Sequence, residues 1–88
     1  MDRSEKVVEP CKVFVQNLTW ETTEEELVAA FCPVADVTSV EIRHSRSGRS
    51  LGCGVVEFNS PQGALDAIAS LNGEDLNGRE MLVREYYQ

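Results

Sequence analysis

The stretch Leu51-Gly52-Cys53-Gly54-Val55-Val56-Glu57-Phe58 restricts this chain more than any other. Paired glycines followed by an apolar–polar alternation ending in an aromatic describe a half-buried strand whose backbone is closely approached on one side. Side chains alternate across a strand, so Gly52, Gly54, Val56 and Phe58 share one face and Leu51, Cys53, Val55 and Glu57 the other. Val56 and Phe58 are the natural core residues, and the small glycines are expected to let a helix pack closely behind them. The opposite face is then left open.

What can surround that strand is limited by length. Eighty-eight residues suffice for one domain with a single two-layer core. No apolar run approaches the ~18 residues that span a bilayer, and residues 1–10 are charged rather than signal-like. The expectation is an intracellular domain, nuclear or cytoplasmic, preceded by a flexible segment over 1–10. Cys11, Cys32 and Cys53 are odd in number and widely spread, which suits neither a disulfide framework nor a Cys-x-x-Cys metal site. Reduced thiols are expected, with no metal and no cofactor.

On either side of the central strand the periodicity switches between two and about 3.6. Lys12 to Leu18 alternates, with Val13 and Val15 on one face and Lys12, Phe14 and Gln16 on the other. Thr22-Thr23-Glu24-Glu25-Glu26 opens a helix: Thr22 with Glu25, or Thr23 with Glu26, fits a capping box, and acids favour the positive end of the helix dipole. Leu27, Ala30 and Phe31 form its buried stripe, and Pro33 ends it. Val37 to Arg43 is a strand with Val40 and Ile42 inward, followed by a polar loop, His44 to Ser50. Ser60-Pro61 starts a second helix, with Ala64, Ala67, Ile68 and Leu71 at helical spacing and Asn72-Gly73 as its stop. After the Asn77-Gly78 turn, Glu80 to Tyr86 is a fourth strand, with Met81 and Val83 inward and Leu82, Arg84 and Tyr86 outward.

Strand, helix, strand, strand, helix, strand describes an α+β, ferredoxin-like β-α-β-β-α-β domain over 11–88. Its four-stranded antiparallel sheet carries both helices on one face. In the usual spatial order the first and third strands are central, which sets Phe14 beside Cys53 and Val55. An aromatic between Lys12 and Gln16 on an uncovered face stacks a ligand, is covered by a terminal tail, or is simply one of many exposed apolar residues.

With these elements placed, the chain from about Lys12 to Tyr86 resembles an RNA recognition motif. Val13-Phe14-Val15-Gln16-Asn17-Leu18 is similar to the family's first-strand hexamer at every position. Residues 51–58 resemble its third-strand octamer, Lys/Arg-Gly-Phe/Tyr-Gly/Ala-Phe-Val-x-Phe/Tyr, at the glycines, Val56 and Phe58. The Gly48-Arg49-Ser50 approach resembles that of shuttling messenger-RNA-binding proteins of the heterogeneous nuclear ribonucleoprotein type. Three octamer positions depart from the family: Leu51 replaces a basic residue, and Cys53 and Val55 replace aromatics that stack bases. Stacking is worth about 1–3 kcal/mol per base, so two lost platforms remove about 2–6 kcal/mol.

The resemblance implies single-stranded RNA as partner, bound with weak to moderate affinity. Phe14 would stack a base, and Lys12, Gln16 and Arg84 would meet base edges or backbone. Arg43, Arg46 and Arg49 would hold phosphates, Tyr86 would give a second ring, and Cys53 and Val55 would line the same surface. Composition pulls the other way, because 8 basic residues against 15 acidic give a net charge of −7, the wrong sign for a polyanion binder. Those three arginines lie in a seven-residue stretch without an acid, so anion binding has to be local. The alternative is a protein-interaction domain using Leu51, Cys53, Val55 and Leu82 as an apolar patch, with RNA affinity supplied by other domains or partners. Catalysis is not expected: the one histidine, His44, lies in the polar loop, and no nucleophile or metal spacing is present. A monomer is expected.

Overall fold

The computed structural model describes residues 7–87. Its elements run β1 (Val8–Gln16), α1 (Glu24–Phe31), β2 (Val37–His44), β3 (Ser50–Phe58), α2 (Pro61–Leu71), β4 (Asp75–Leu76), β5 (Arg79–Glu80) and β6 (Leu82–Tyr87). The main sheet has the order β2-β3-β1-β6 and every pairing in it is antiparallel. Strands β1 and β3 are therefore the central pair, as the sequence pattern requires of a ferredoxin-like fold.

The helices cover one face. Val13 and Val15 of β1, Val56 and Phe58 of β3 and Val83 of β6 are buried against Leu27 and Phe31 of α1 and Ala64 and Ala67 of α2. Phe31 and Phe58 meet with ring centroids 6.1 Å apart at 44°. Each such fully buried side chain contributes on the order of 1.5–3 kcal/mol.

Helix α1 starts as its sequence dictates. Of the two possible capping boxes the chain forms the one at Thr23: the Glu26 amide donates to Thr23 Oγ1 at 3.1 Å, and the Thr23 amide donates to Glu26 Oε1 at 3.0 Å. The box has a third member from far along the chain, because Asn77 Nδ2 donates to Glu26 Oε1 at 3.0 Å and to Thr22 Oγ1 at 3.2 Å. Asn77 can do so because it sits with φ 55° in the turn between β4 and β5, beside Gly78 at φ 87°, the pair that two-residue hairpins favour. Glu24, in the first turn, accepts the Ile42 amide of β2 at 3.2 Å. The first-turn acids therefore do more than favour the helix dipole.

The Thr23 amide and the Asn77 side chain hold the Glu26 carboxyl below its ordinary value of 4.5. A lowered pKa means the folded state favours the charged form, so this contribution is complete above the ordinary value and is lost as pH falls through the lowered one. Glu26→Gln is expected to flatten the acid side of the stability curve in that window, measured by urea unfolding at a series of pH values. An unchanged acid limb overturns the assignment.

Three expectations are revised. Strand β1 begins at Val8, inside the segment expected to be flexible, while residues 1–6 lie outside the described residues. Pro10 is accommodated beyond the stretch paired to β3, at a register irregularity between Val8 and Val13 on the β6 side, where its missing N–H costs no ladder bond. The fourth strand divides: Arg79–Glu80 pairs with Asp75–Leu76 in a separate ribbon, and Leu82–Tyr87 joins the sheet. Finally, the octamer glycines make room for backbone and not for a helix. A Cβ on Gly54 would lie 2.5 Å from the Glu41 carbonyl oxygen in β2, and one on Gly52 would lie 3.0 Å from the Leu18 carbonyl oxygen. Gly52 has φ 75° and lies where the β2–β3 register shifts: Ile42 pairs with Gly54 but His44 pairs with Ser50, so three residues of β3 face one of β2. This bulge bends the end of β3 and re-aims its side chains.

Candidate nucleic-acid interface

The sheet face away from the helices is built from alternate residues of four strands. Register fixes its central row as Glu41, Val55, Phe14 and Arg84. Lys12 and Glu57 pair on one side of that row, and Gln16 and Leu82 on the other. Phe14 is half-buried on this face and not part of the hydrophobic core. A phenyl ring held at the middle of an uncovered sheet offers a flat apolar surface of the kind on which a nucleobase stacks.

Tyr86 completes the surface. Its ring lies 6.1 Å from that of Phe14 at 40°, with Lys12 Nζ 5.8 Å from its centroid and the Arg43 guanidinium carbon 5.9 Å away. Arg43 Nη2 donates to the Tyr86 hydroxyl at 3.0 Å. Since Arg43 is on β2 and Tyr86 on β6, at opposite edges of the sheet, the two side chains reach toward each other across β3 and β1. Phe14, Arg43, Glu85, Tyr86 and Tyr87 line one shallow depression. At its rim Tyr87 donates its hydroxyl to Glu85 Oε1 at 2.8 Å, and that carboxylate holds the phenol above its ordinary value.

The candidate residues divide into two groups. Lys12, Phe14, Gln16, Arg43, Cys53, Val55, Arg84 and Tyr86 belong to the sheet face, whereas Arg46 and Arg49 are exposed in the turn after β2. Two differ from what sequence reasoning expected of them. Arg43 lies on β2, as the strand over Val37 to Arg43 predicts, but its guanidinium turns over the sheet to Tyr86 and away from Arg46 and Arg49, with which it was grouped as a phosphate contact. Val55 was expected to offer surface, yet it is only 7% exposed, which leaves a base no face to contact and divides the proposed apolar patch. Among the described residues the buried Arg43 Nε has no hydrogen-bond partner.

The turn after β2 is more ordered than its Ser and Gly content suggests. The Ser45 amide donates to the Arg49 carbonyl at 2.8 Å and the Gly48 amide to the Ser45 carbonyl at 2.9 Å, which projects Arg46 and Arg49 from a short, tight loop. Against it stands Trp20, which sequence reasoning passed over. The indole is 73% exposed and shares a depression with Arg49. The signal was available: the largest apolar side chain in the chain stands between Thr19 and Glu21, outside any alternating or helical apolar pattern.

The charge map is mixed. Glu41 and Glu57 share the open face with Phe14, so exposed positive charge lies at its margins, on Arg84, Arg46 and Arg49. Cys11 and Cys53 are half-buried and Cys32 is exposed, all three as free thiols. Among the described residues no three His, Cys, Asp or Glu gather as a metal would need, and no helix is long and apolar enough to cross a membrane.

The RNA recognition motif family model matches residues 13–82. A glycine-rich RNA-binding protein of Daucus carota is 40% identical over 75 residues, which cover 84% of this chain and 48% of that protein. Glycine-rich RNA-binding protein 7 of Arabidopsis thaliana is also 40% identical over 75 residues, covering 84% of this chain and 43% of its own length. The chain thus spans about half the length of these relatives. Among solved structures, RNA binding protein PG1 superimposes with a TM-score of 0.82 at 32% identity, covering 86% of this chain and 93% of its own. The second domain of yeast poly(U)-binding protein Pub1 gives 0.81 at 31% identity, covering 88% and 94%.

Proposed function

The chain belongs to the RNA recognition motif family, and from that premise we propose that it is a single-stranded RNA-binding module of weak to moderate affinity. The observation that carries the reading is the position of Phe14, in the centre of a sheet face that no helix covers, between Val55 and Arg84. One base stacks on Phe14 and a neighbouring base on Tyr86, with Lys12 beside Tyr86 and with Gln16 and Cys53 on the far side of Phe14. Phosphates pass toward Arg84 on one side and Arg46 and Arg49 on the other, which keeps them clear of Glu41 and Glu57. Trp20 beside Arg49 extends the stacking surface past the sheet edge.

The module binds and does not catalyse, acts as a monomer, and serves messenger-RNA metabolism in the nucleus or cytoplasm. With two octamer platforms missing, useful affinity depends on further contacts, from Tyr86 and Trp20 here and from neighbouring segments in a longer protein. The alternative, a protein partner on the sheet face, is weakened by the burial of Val55.

A chemical-shift titration with random-sequence RNA octamers tests the proposal. Perturbations are expected on β1, β3 and β6; perturbations confined to α1 and α2, or none, overturn it. Salt gives an independent measure. Each phosphate neutralised on a single strand contributes about −0.7 to the slope of log K against log salt, so three exposed arginines predict about −2. Arg46→Ala with Arg49→Ala is expected to flatten that slope by about 1.4, read by fluorescence anisotropy at several salt concentrations. An unchanged slope removes these arginines from the interface.

A further inference from the structure

We infer that Arg43 is a positioning residue: by bridging to Tyr86 across the sheet it sets that ring as the stacking platform which the third strand of this chain lacks. The inference rests on the RNA-binding reading above and assigns Arg43 a role other than holding phosphate.

Three observations carry it. Arg43 and Tyr86 stand on the two edge strands, and their hydrogen bond of 3.0 Å requires both side chains to lie flat along the open face. Register puts them on opposite sides of the central row. Arg43 lies two residues beyond Glu41, which pairs with Val55. Tyr86 lies two residues beyond Arg84, which pairs with Phe14, in the other direction along the sheet. The bridge therefore crosses the sheet diagonally, over Val55 and beside the Phe14 ring, and Val55 is accordingly 7% exposed. Secondly, the bridge needs low ground beneath it. Valine at 55 and cysteine at 53 supply this, where an aromatic would stand up into the path. Thirdly, Lys12 Nζ approaches the same ring to 5.8 Å, so two cations hold Tyr86 in one place. A fixed ring binds a base with less ordering cost than a free one.

This accounts for the departures at Cys53 and Val55 together: the ring missing from β3 is supplied by β6 and steadied by β2. It also separates the two things an arginine can do here. A phosphate contact depends on charge, which lysine keeps; the bridge depends on the reach and fork geometry of the guanidinium, which lysine lacks.

The test is a double-mutant cycle on the whole chain, with binding of a fluorescein-labelled random-sequence RNA octamer measured across a salt series. Arg43→Ala, Arg43→Lys and Tyr86→Phe are each expected to weaken binding about two- to tenfold, the scale of one hydrogen bond. The Arg43→Ala/Tyr86→Phe double variant should lose no more than the worse single, and none should change the salt slope. In a Val55→Phe background, where the bridge has no room, Tyr86→Phe should cost nothing further. Additive losses, a salt slope flattened by about 0.7 in Arg43→Ala, or Arg43→Lys binding like the wild type overturns the positioning role and makes Arg43 a phosphate contact. Unchanged affinity in all variants also overturns it. If the wild-type chain binds no octamer, the RNA-binding reading fails and this inference with it. Melting temperatures of the variants distinguish loss of the ring's position from loss of the fold.

Discussion

Phe14→Ala is expected to weaken binding of an unstructured RNA octamer by roughly five- to 150-fold, the equivalent of the ~1–3 kcal/mol that one stacked base contributes. The expectation follows from what surrounds the ring. Phe14 sits in the central row between Val55, which is buried, and Arg84, which is exposed, and the nearest other aromatic, Tyr86, is tilted against it at 6.1 Å. No neighbour supplies a flat surface at the same point, so removing the ring removes the platform. Losing it also frees Tyr86 on one side, which adds to the effect. Phe14→Leu separates the causes: it keeps most of the apolar area but has no π face, so affinity should stay low if stacking matters and recover if burial alone does. The measurement is anisotropy at fixed salt, with melting curves to establish that each variant is folded. Wild-type affinity in Phe14→Ala removes the sheet face from the RNA-binding site.

The second large effect concerns the fold. Gly54→Ala is expected to lower the melting temperature by roughly 5–20 °C, from an overpacking cost of about 1–3 kcal/mol and about 4–8 °C per kcal/mol in a domain of this size. The added methyl would stand 2.5 Å from the Glu41 carbonyl oxygen and 3.3 Å from the Ile42 Cα. Both are backbone atoms of the neighbouring strand, so no side chain can swing aside, and β2 and β3 must part where Ile42 pairs with Gly54. Gly63→Ala meets the Cβ atoms of Ala35 at 3.0 Å and Phe58 at 3.1 Å, which α2 can relieve by shifting slightly, so a smaller loss is expected. Scanning calorimetry compares the two; equal melting temperatures for Gly54→Ala and wild type overturn the close-approach account.

How much of this was readable in advance depends on the range of the interaction. Alternation at Val13, Val15, Val56, Phe58 and Val83 reports which face is buried, because strand geometry alone forces that relation, and four such segments with two amphipathic helices between them leave few topologies. The capping boxes at Thr23 and the stop at Gly73 are similarly local. The bulge in β3 was not readable: the glycines signal that something comes close, but a one-dimensional pattern does not say whether a helix or a strand does. The bridge from Arg43 was not readable for a related reason. Its partner Tyr86 is 43 residues away and becomes one only through the strand order and the small side chains between. Trp20 is a different case, since its isolation from every apolar period was itself the signal.

The hydrogen bond from Ile42 to Glu24 has a consequence for the company the domain keeps. Strand β2 is the last in its sheet, and an amide that donates away from its neighbour is an open invitation for a foreign strand to align and continue the ladder. Here a carboxylate already occupies that amide, so an incoming strand would have to evict a negative charge before forming its first bond. Growth of this sheet into fibres or domain-swapped pairs is thereby discouraged at its outer margin by one side chain of α1.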